Sequence, residues 1–367
     1  MVEKAAEPQL HPLRRRALAF ARALTTPLPA DDYLALLDPR WSAREQTGTV
    51  VRKQPETADA ATIVIRPTFS WSGHQPGQYV RLGVEIDGIR QWRAYTITAD
   101  PEHPEDFVSV TVKRTEGGKL SPYFVDEMPV GATVFLGEVE GQFTLPDPLP
   151  EKLLMISAGS GVTPIWSQLR ELERRGFDGD IFHIHGARTP EEMIFGEHLR
   201  AMRERCSAYT LHEHHSKEKG RVGAAHLDEI VPDWRKREAF LSGPRDMIDE
   251  MEKHWEAEAE ADAEALHTER FQPTIGEGGE DVGGGTVGFR VTECSAECEP
   301  GVSILVGGER AGAVLPFGCR MGICHTCVGR LRVGRVRDLR TGEIEGEEGE
   351  MVRTCVTAPD GDVEIDL

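Results

Sequence analysis

Phe317-Gly-Cys-Arg-Met-Gly-Ile-Cys-His-Thr-Cys327 is the stretch from which the rest of the chain is read. Cys319, Cys324 and Cys327 stand in C-x4-C-x2-C spacing, and Cys355 follows 28 positions later in Val352-Arg-Thr-Cys-Val-Thr-Ala358. Four thiolates so arranged suit a 2Fe–2S cluster: three in one loop wrap it, and a fourth reaches in from a distant strand. Gly318 and Gly322 let the loop bend until backbone N–H groups point at the sulfurs. The alternatives are a zinc site and a disulfide knot. Zinc favours paired C-x2-C knuckles, and one such pair is present here.

Working outward, a length of 367 residues exceeds one ordinary core and predicts two or three domains. Acidic side chains number 62 against 42 basic ones, a formal charge of −20. That balance excludes general affinity for nucleic acid and favours basic protein partners. Cys206, Cys294 and Cys298 lie outside the cluster set. An odd remainder without framework spacing fits a reducing cytoplasm. No apolar run approaches the roughly 20 residues needed to span a bilayer. The short apolar stretch after Arg14-Arg15-Arg16 is no signal-peptide core. The expected location is the cytoplasm, with the inner membrane surface as an alternative beside a membrane-bound partner.

The chain divides by rhythm. Residues 1–43 form an extension in which Leu13, Ala17, Phe20 and Leu24 make one helical stripe, followed by a short helix capped at Asp31 and Asp32. The stripe can pack on the protein's own body or make a peripheral membrane contact. Residues 44–148 read as strands: Thr47–Arg52, Ala61–Arg66, Gln78–Val84 and Phe107–Lys113 are β-branched runs that predict an antiparallel barrel or sandwich, with a helical segment at Leu120–Glu127. Residues 149–271 alternate strands near Leu153–Ser157, Asp180–His185, Tyr209–His212 and Ala239–Ser242 with helices, the pattern of a parallel α/β sheet. Residues 272–286, rich in glycine and charge, read as a flexible linker. Residues 287–367 carry strand patterns around the cysteine loop.

Several motifs carry chemistry. In Arg93-Ala-Tyr-Thr96 an arginine can pair with a pyrophosphate, and a tyrosine on the same side of the strand offers a flat face for stacking. Gly117-Gly118-Lys119-Leu120-Ser121 opens a helix whose N–H groups suit an anion; its bland reading is a turn with an N-cap at Ser121. Together the two suggest a dinucleotide. Ala158-Gly159-Ser160-Gly161-Val162-Thr163-Pro164 follows the first α/β strand, and Leu241-Ser242-Gly243-Pro244-Arg245 repeats strand–turn–helix geometry. Arg188, just past the second strand with no acid at the strand's end, favours a 2′-phosphate and so NADPH; a surface arginine, with NADH as donor, is the other reading. His212-Glu-His-His215 reads as an exposed polar edge in preference to a metal site. The acidic run Glu343–Glu350 reads as a solvated loop or as a docking rim for a basic partner.

By these motifs, residues after 44 resemble the ferredoxin–NADP reductase superfamily followed by a ferredoxin, in the order of the phenylacetyl-CoA epoxidase reductase type and, more distantly, phthalate dioxygenase reductase. The resemblance implies a multidomain α+β protein: an antiparallel β-barrel FAD domain, a Rossmann-like α/β nicotinamide domain and a β-grasp 2Fe–2S domain. It implies that Arg93 contacts the FAD pyrophosphate, Tyr95 and Thr96 the flavin ring, Val112 the flavin pocket, and Gly118 and Ser121 the diphosphate. Gly159, Gly161, Thr163, Pro164, Arg188, Gly243 and Pro244 would hold NADPH. Glu269 and Phe271 match the family's terminal acid-x-aromatic element, so Thr96, Glu269 and Phe271 become the expected catalytic set. Cys319, Cys324, Cys327 and Cys355 become the cluster ligands. The family often has Cys-Gly where this chain has Ser242-Gly243, which implies modestly slower hydride transfer. Pro29–Glu45 is similar to the extension on actinobacterial reductases serving membrane acyl-CoA desaturases and some haem-thiolate monooxygenases. The implied function is a reductase passing electrons from NADPH through FAD and the cluster to such a terminal oxygenase. A reductase of small acceptors such as ferric chelates and a redox sensor are the alternatives.

Overall fold

The computed structural model describes residues 46–68, 71, 73–86, 89–99, 107–115, 118, 120–258, 265–271, 284–317, 322, 326–339, 342–346 and 348–367. The N-terminal extension, most of the linker, Cys319 and Cys324 therefore lie outside the described residues.

The first unit is antiparallel. Strands β1 (Gln46–Thr57), β2 (Ala60–Pro67), β3 (Tyr79–Ile86), β4 (Ile89–Thr96), β5 (Val108–Lys113) and β6 (Thr133–Glu140) form a sheet in the order β4-β3-β6-β1-β2-β5. A bridge between Ile97 and Val110 brings the two edge strands together and closes the sheet on itself. Alternation drives this: Ile63, Ile65, Val80, Leu82, Val108, Val110 and Val112 point inward and are buried. Closure removes the exposed edges that an open sheet would present.

The second unit is parallel. Strands β7 (Lys152–Ala158), β8 (Asp180–Ala187), β9 (Tyr209–His215), β10 (Glu238–Ser242) and β11 (Leu266–Glu269) run in the order β11-β10-β7-β8-β9, every pairing parallel. Helices α1 (Val162–Arg174), α2 (Gly196–Arg205) and α3 (Arg245–Ala257) cover it. The sheet separates two apolar layers, one around Met155, Ile165 and Leu199 and one around Ile156, Leu241 and Met251. Strand order reverses between β7 and β10, so the loops after them diverge and leave a crevice at their carboxyl ends.

These two units meet along a bonded seam. Gln168 Nε2 donates to Phe143 O at 2.8 Å, and Arg170 Nη1 donates to Thr98 O at 2.8 Å. Ala60 and Phe143 of the barrel share an apolar cluster with α1. Gly77, at φ +99°, sits where a Cβ would stand 1.9 Å from Phe143 O. Only glycine fits so close a crossing.

The third unit builds a mixed five-stranded sheet from β12 (Gly285–Phe289), β13 (Cys294–Cys298), β14 (Val328–Val333), β17 (Met351–Arg353) and β19 (Val363–Asp366), ordered β13-β12-β19-β14-β17. Helix α4 (Ile304–Arg310) packs on it, and β15 (Val336–Asp338), β16 (Ile344–Glu345) and β18 (Thr357–Pro359) form a small second sheet. Its own core includes Val287, Phe289, Ile304 and Ile365. Strand β12 begins at Gly285, inside the stretch read as linker, because its pairing with Cys298 recruits a glycine that lacks an apolar signal.

Beneath the loop after β7 lies a buried polar chain. Ser157 Oγ stands 2.8 Å from His183 Nε2 and 2.8 Å from His185 Nδ1, and His183 Nδ1 lies 2.7 Å from Tyr209 Oη. Burial lowers both histidines, His185 to about 4, so both are neutral at pH 7. Running the bonds from the Tyr209 hydroxyl through His183 and Ser157 to His185 leaves His185 Nε2 as the unpaired end. Ser157→Ala removes one acceptor and one donor from this chain. The expected loss is about 2–4 kcal/mol, read as a lower midpoint in denaturant unfolding, with Ser157→Thr much milder.

Candidate functional site

A crevice lies at the carboxyl ends of the strands where their order reverses. The loop Gly159–Gly161 follows β7, and Gly243–Pro244 follows β10. They touch: a Cβ on Gly161 would lie 2.2 Å from Ser242 O and 2.7 Å from Gly243 Cα. Gly159 adopts φ +55°, the left-handed region that favours glycine. Above these loops opens a cleft of two adjoining halves, of ≈ 400 and ≈ 410 Å³. Both halves are lined by Lys113, Ala158, Gly159, Arg221, Pro244 and Asp246. One half extends to Gly186, Arg188 and His214, the other to Gly243, Arg245, Arg270 and Phe271.

Charge singles this cleft out. In a chain of formal charge −20, Lys113, Arg188, Arg221, Arg245 and Arg270 converge on it, with Glu192, Asp246 and Glu250 as the acids. Carboxylates hold these cations in place: Arg188 pairs with Glu192 at 3.1 Å, Arg221 with Asp246 at 3.5 Å, and Asp249 bridges Arg245 and Arg270. Such a concentration of guanidinium groups over glycine loops suits an extended polyanion.

Beside the cleft, β11 carries Glu269. Its register neighbour is Ser242, whose hydroxyl is fully buried without a hydrogen-bond partner among the described residues. Burial raises the Glu269 carboxyl to about 7, so at neutral pH it is divided between the acid and the carboxylate.

The barrel carries a second set of residues. Arg93 and Tyr95 lie on the same face of β4, in register with Leu82 and Val80. Tyr95 meets Phe124 edge-on at 5.5 Å, and burial raises its hydroxyl far above the usual tyrosine range. Ser121 Oγ accepts from Thr115 N at 3.0 Å and Gly118 N donates to Thr115 O at 3.1 Å, folding the chain into a tight cradle. A Cβ on Gly118 would stand 3.1 Å from Thr115 O and 3.3 Å from Ser121 Oγ, filling that cradle. The barrel thus offers what FAD needs: an aromatic face, a guanidinium and a glycine cradle.

Of the four cysteines expected to hold the cluster, Cys327 and Cys355 are described, and both are buried in the third core. Thr354 binds the two segments together, its amide and hydroxyl both donating to Cys327 O at 3.1 and 2.8 Å. Arg353 Nη1 donates to Gly322 O at 2.9 Å, tying the cysteine loop to the strand before Cys355, and Gly322 adopts φ +74°. Two buried thiols brought together by backbone bonds fit a soft-metal cluster.

Several sequence expectations change. Gly159, Arg188, Gly243, Pro244 and Phe271 line the cleft, whereas Gly161 packs beneath it. Thr163 and Pro164 are buried in α1, Thr163 donating to Ser160 O at 3.0 Å. Thr96 is also buried. Val112 points into the barrel core, so its side chain does not face a pocket. An acid does accompany Arg188, namely Glu192 on the turn that follows. His212–His215 is not an exposed edge. β9 is indeed the edge strand, but the loop to Ala224 folds over it: His214 is buried, donates to Gly220 O at 3.0 Å and meets the His226 ring at 5.0 Å. Among the described residues no group of His, Cys, Asp or Glu is arranged to hold a metal ion. Lys113, Arg221, Arg245 and Arg270 were missed because they come from four separate elements. Lys113 ends a strand, Arg270 follows one and Arg245 opens a helix, which was the available signal; Arg221 lies in a loop and gave none.

This geometry has counterparts in known proteins. Residues 49–144 match the oxidoreductase FAD-binding domain, residues 155–253 the oxidoreductase NAD-binding domain, and residues 290–360 the 2Fe-2S iron-sulfur cluster binding domain. The chain is 40% identical to an NADPH oxidoreductase of Mycobacterium tuberculosis, over 98% of this chain and 93% of that one. It is 31% identical to the glycine betaine monooxygenase reductase subunit of Pseudomonas aeruginosa, over 80% and 87% of the two chains. It is 28% identical to one of the subunits of the 1,2-phenylacetyl-CoA epoxidase of Escherichia coli, over 87% and 96%. The fold is similar to that of phthalate dioxygenase reductase, with a TM-score of 0.63 at 20% identity over 88% and 98%. Among the described residues no helix is long and apolar enough to cross a membrane.

The Glu269 environment gives a sign that can be measured. A carboxyl raised by folding contributes stability that is present at pH below about 4.5 and lost as pH rises towards about 7. Glu269→Gln should flatten the fall of the thermal midpoint across that window. An unchanged slope would show that the carboxyl is not held out of water.

Proposed function

The chain belongs to the ferredoxin–NADP reductase-type oxidoreductases that carry FAD-binding, NAD-binding and C-terminal 2Fe–2S domains, and from that premise we propose that it draws electrons from NADPH and delivers them to a terminal oxygenase. It is an NAD(P)H-dependent oxidoreductase that uses FAD and a 2Fe–2S cluster. The observation that carries the proposal is the cationic cleft at the strand reversal, set in a strongly acidic chain. FAD accepts an electron pair as hydride and releases it singly to a one-electron cluster, which is the chemistry the bound groups supply.

The protein's own residues prepare that exchange. Arg245 and Arg270, fixed through Asp249, neutralise the pyrophosphate of the dinucleotide, while Arg188 and Arg221 meet the 2′-phosphate. Lys113 reaches from the barrel to the same cleft and so ties the nucleotide to the flavin domain. Phe271, which lines the cleft, would cover one flavin face until the nicotinamide takes its place. Tyr95 orients the flavin ring, and Arg93, Gly118 and Ser121 hold its diphosphate. Glu269 holds or yields a proton near neutral pH beside the reacting rings. Cys327 and Cys355, with Cys319 and Cys324, hold the cluster.

Relatives that are parts of monooxygenase and epoxidase systems support an oxygenase as acceptor. A membrane acyl desaturase or a haem-thiolate monooxygenase is the narrower reading, supported by the Pro29–Glu45 extension. The rim Glu343–Glu350 suits a basic partner: Glu345 is raised by burial and then by Glu350, with Asp338 and Glu343 adding to it, the mark of crowded negative charge.

Two outcomes test this reading. Arg188→Glu should lower kcat/KM for NADPH about 10- to 100-fold and leave NADH nearly unchanged in anaerobic stopped-flow, since the lost contact is to the 2′-phosphate. Equal losses for both nucleotides would remove the assignment. A chain ending at residue 283 keeps the three apolar clusters of the first two units intact. It should still reduce ferricyanide with NADPH and fail to reduce a reconstituted desaturase or haem-thiolate monooxygenase. Undiminished oxygenase reduction would show that electrons do not leave through the 2Fe–2S domain and would overturn the scheme.

A further inference from the structure

A second groove lies along the seam between the barrel and the α/β unit, and it shares no lining residue with the nucleotide cleft. It consists of two adjoining cavities, ≈ 360 and ≈ 400 Å³, joined through Gln54, Glu56, Phe195 and His198. Neither contains any residue assigned above to FAD, NADPH or the cluster.

Its two walls differ in chemistry. The barrel wall is polar: Thr62 Oγ1 donates to Glu56 Oε1 at 2.6 Å, and Thr98 and Ser109 hydroxyls pair at 3.1 Å. The α/β wall is aromatic: Trp166 stacks on Phe195 at 5.5 Å and 29°, and on His198 at 5.6 Å and 28°. Phe195, common to both cavities, adopts φ +59°, a backbone conformation that bulky side chains rarely take. Such strain clusters where a ligand is clamped. Neither wall is complete alone, since β1, β2 and β5 supply one and α1 and α2 the other.

Charge narrows the occupant. The smaller cavity is lined by Arg52, Arg170 and Arg205 against two acids, Glu173 and Glu56. Glu173 is already engaged by Arg205. Burial raises the Glu56 carboxyl, and its Oε1 accepts from Thr62. The other cavity adds Glu191 and Glu197 against Arg200, so the surplus of guanidinium, and with it the preference for an anion, is confined to the smaller cavity. The aromatic wall favours a flat ring, which the smaller cavity is large enough to admit.

We propose that the seam groove is a second small-molecule site, which takes a single-ring aromatic or heteroaromatic carboxylate bound across both domains. The carboxylate faces the arginines, the ring lies along His198, Trp166 and Phe195, and ring substituents meet the hydroxyls of the barrel wall.

The test uses the full-length holoprotein with saturating NADP⁺, so that the nucleotide cleft is filled. Benzoate and nicotinate are the probes, and benzamidine is the cation of matching shape. Saturable binding of benzoate or nicotinate by calorimetry or ligand-observed NMR is expected, with benzamidine at least about tenfold weaker. Arg52→Glu with His198→Ala, both exposed positions, should weaken carboxylate binding at least about tenfold and leave NADPH–ferricyanide turnover unchanged. Arg52→Glu alone should narrow or reverse the preference over benzamidine. No saturable binding in the millimolar range, equal affinity for benzamidine, or unaltered affinity in both variants would each overturn the proposal.

Discussion

The contact on which the structure depends is the meeting of two backbones at Gly161 and Ser242. Parallel strands β7 and β10 are neighbours in the sheet but not in sequence, and their chains leave in opposite senses. The loops stay close because nothing projects from Gly161, where a Cβ would be 2.2 Å from Ser242 O. From that closeness follow the crevice, the position of α1 and α3, and the approach of arginines from separate elements. A similar economy lets Gly77 pass close to Phe143 O within the barrel, beside Gln168 of α1. In both places a missing side chain sets the geometry.

What could be read in the sequence had a local cause. Cysteine spacing, the β-branched runs of the barrel and the glycine turns after β7 and β10 each express a short-range rule, and the matching domains bear out the cofactors they implied. Strands β4 and β6 were harder, because Ile89–Thr96 mixes arginine and glutamine with apolar residues, and Thr133–Glu140 is punctuated by Gly137. What escaped was tertiary. No rule of spacing brings Lys113, Arg221, Arg245 and Arg270 together across more than 150 residues of chain. His214 misled for the same reason: an edge strand counts as exposed until a later loop covers it.

Electrostatics divides the molecule into regions with different tasks. The surface as a whole is acidic, yet cations concentrate where a nucleotide would lie, and neighbouring carboxylates restrain the arginines among them. Those pairs keep the guanidinium groups ordered and lower what must be rearranged when an anion arrives. Beneath them the histidines under the glycine loop are uncharged, so the floor of the site adds polarity without adding charge. Glu269 is the exception, a carboxyl poised between its two states beside an unsatisfied hydroxyl.

Thr354 has a consequence for assembly. By bonding twice to the Cys327 carbonyl, it fixes the segment before Cys355 against the segment after the cysteine loop, using backbone and hydroxyl atoms alone. The grip involves no sulfur. The last two of the four cysteines expected to hold the cluster are therefore kept in register by backbone and hydroxyl bonds of the polypeptide itself.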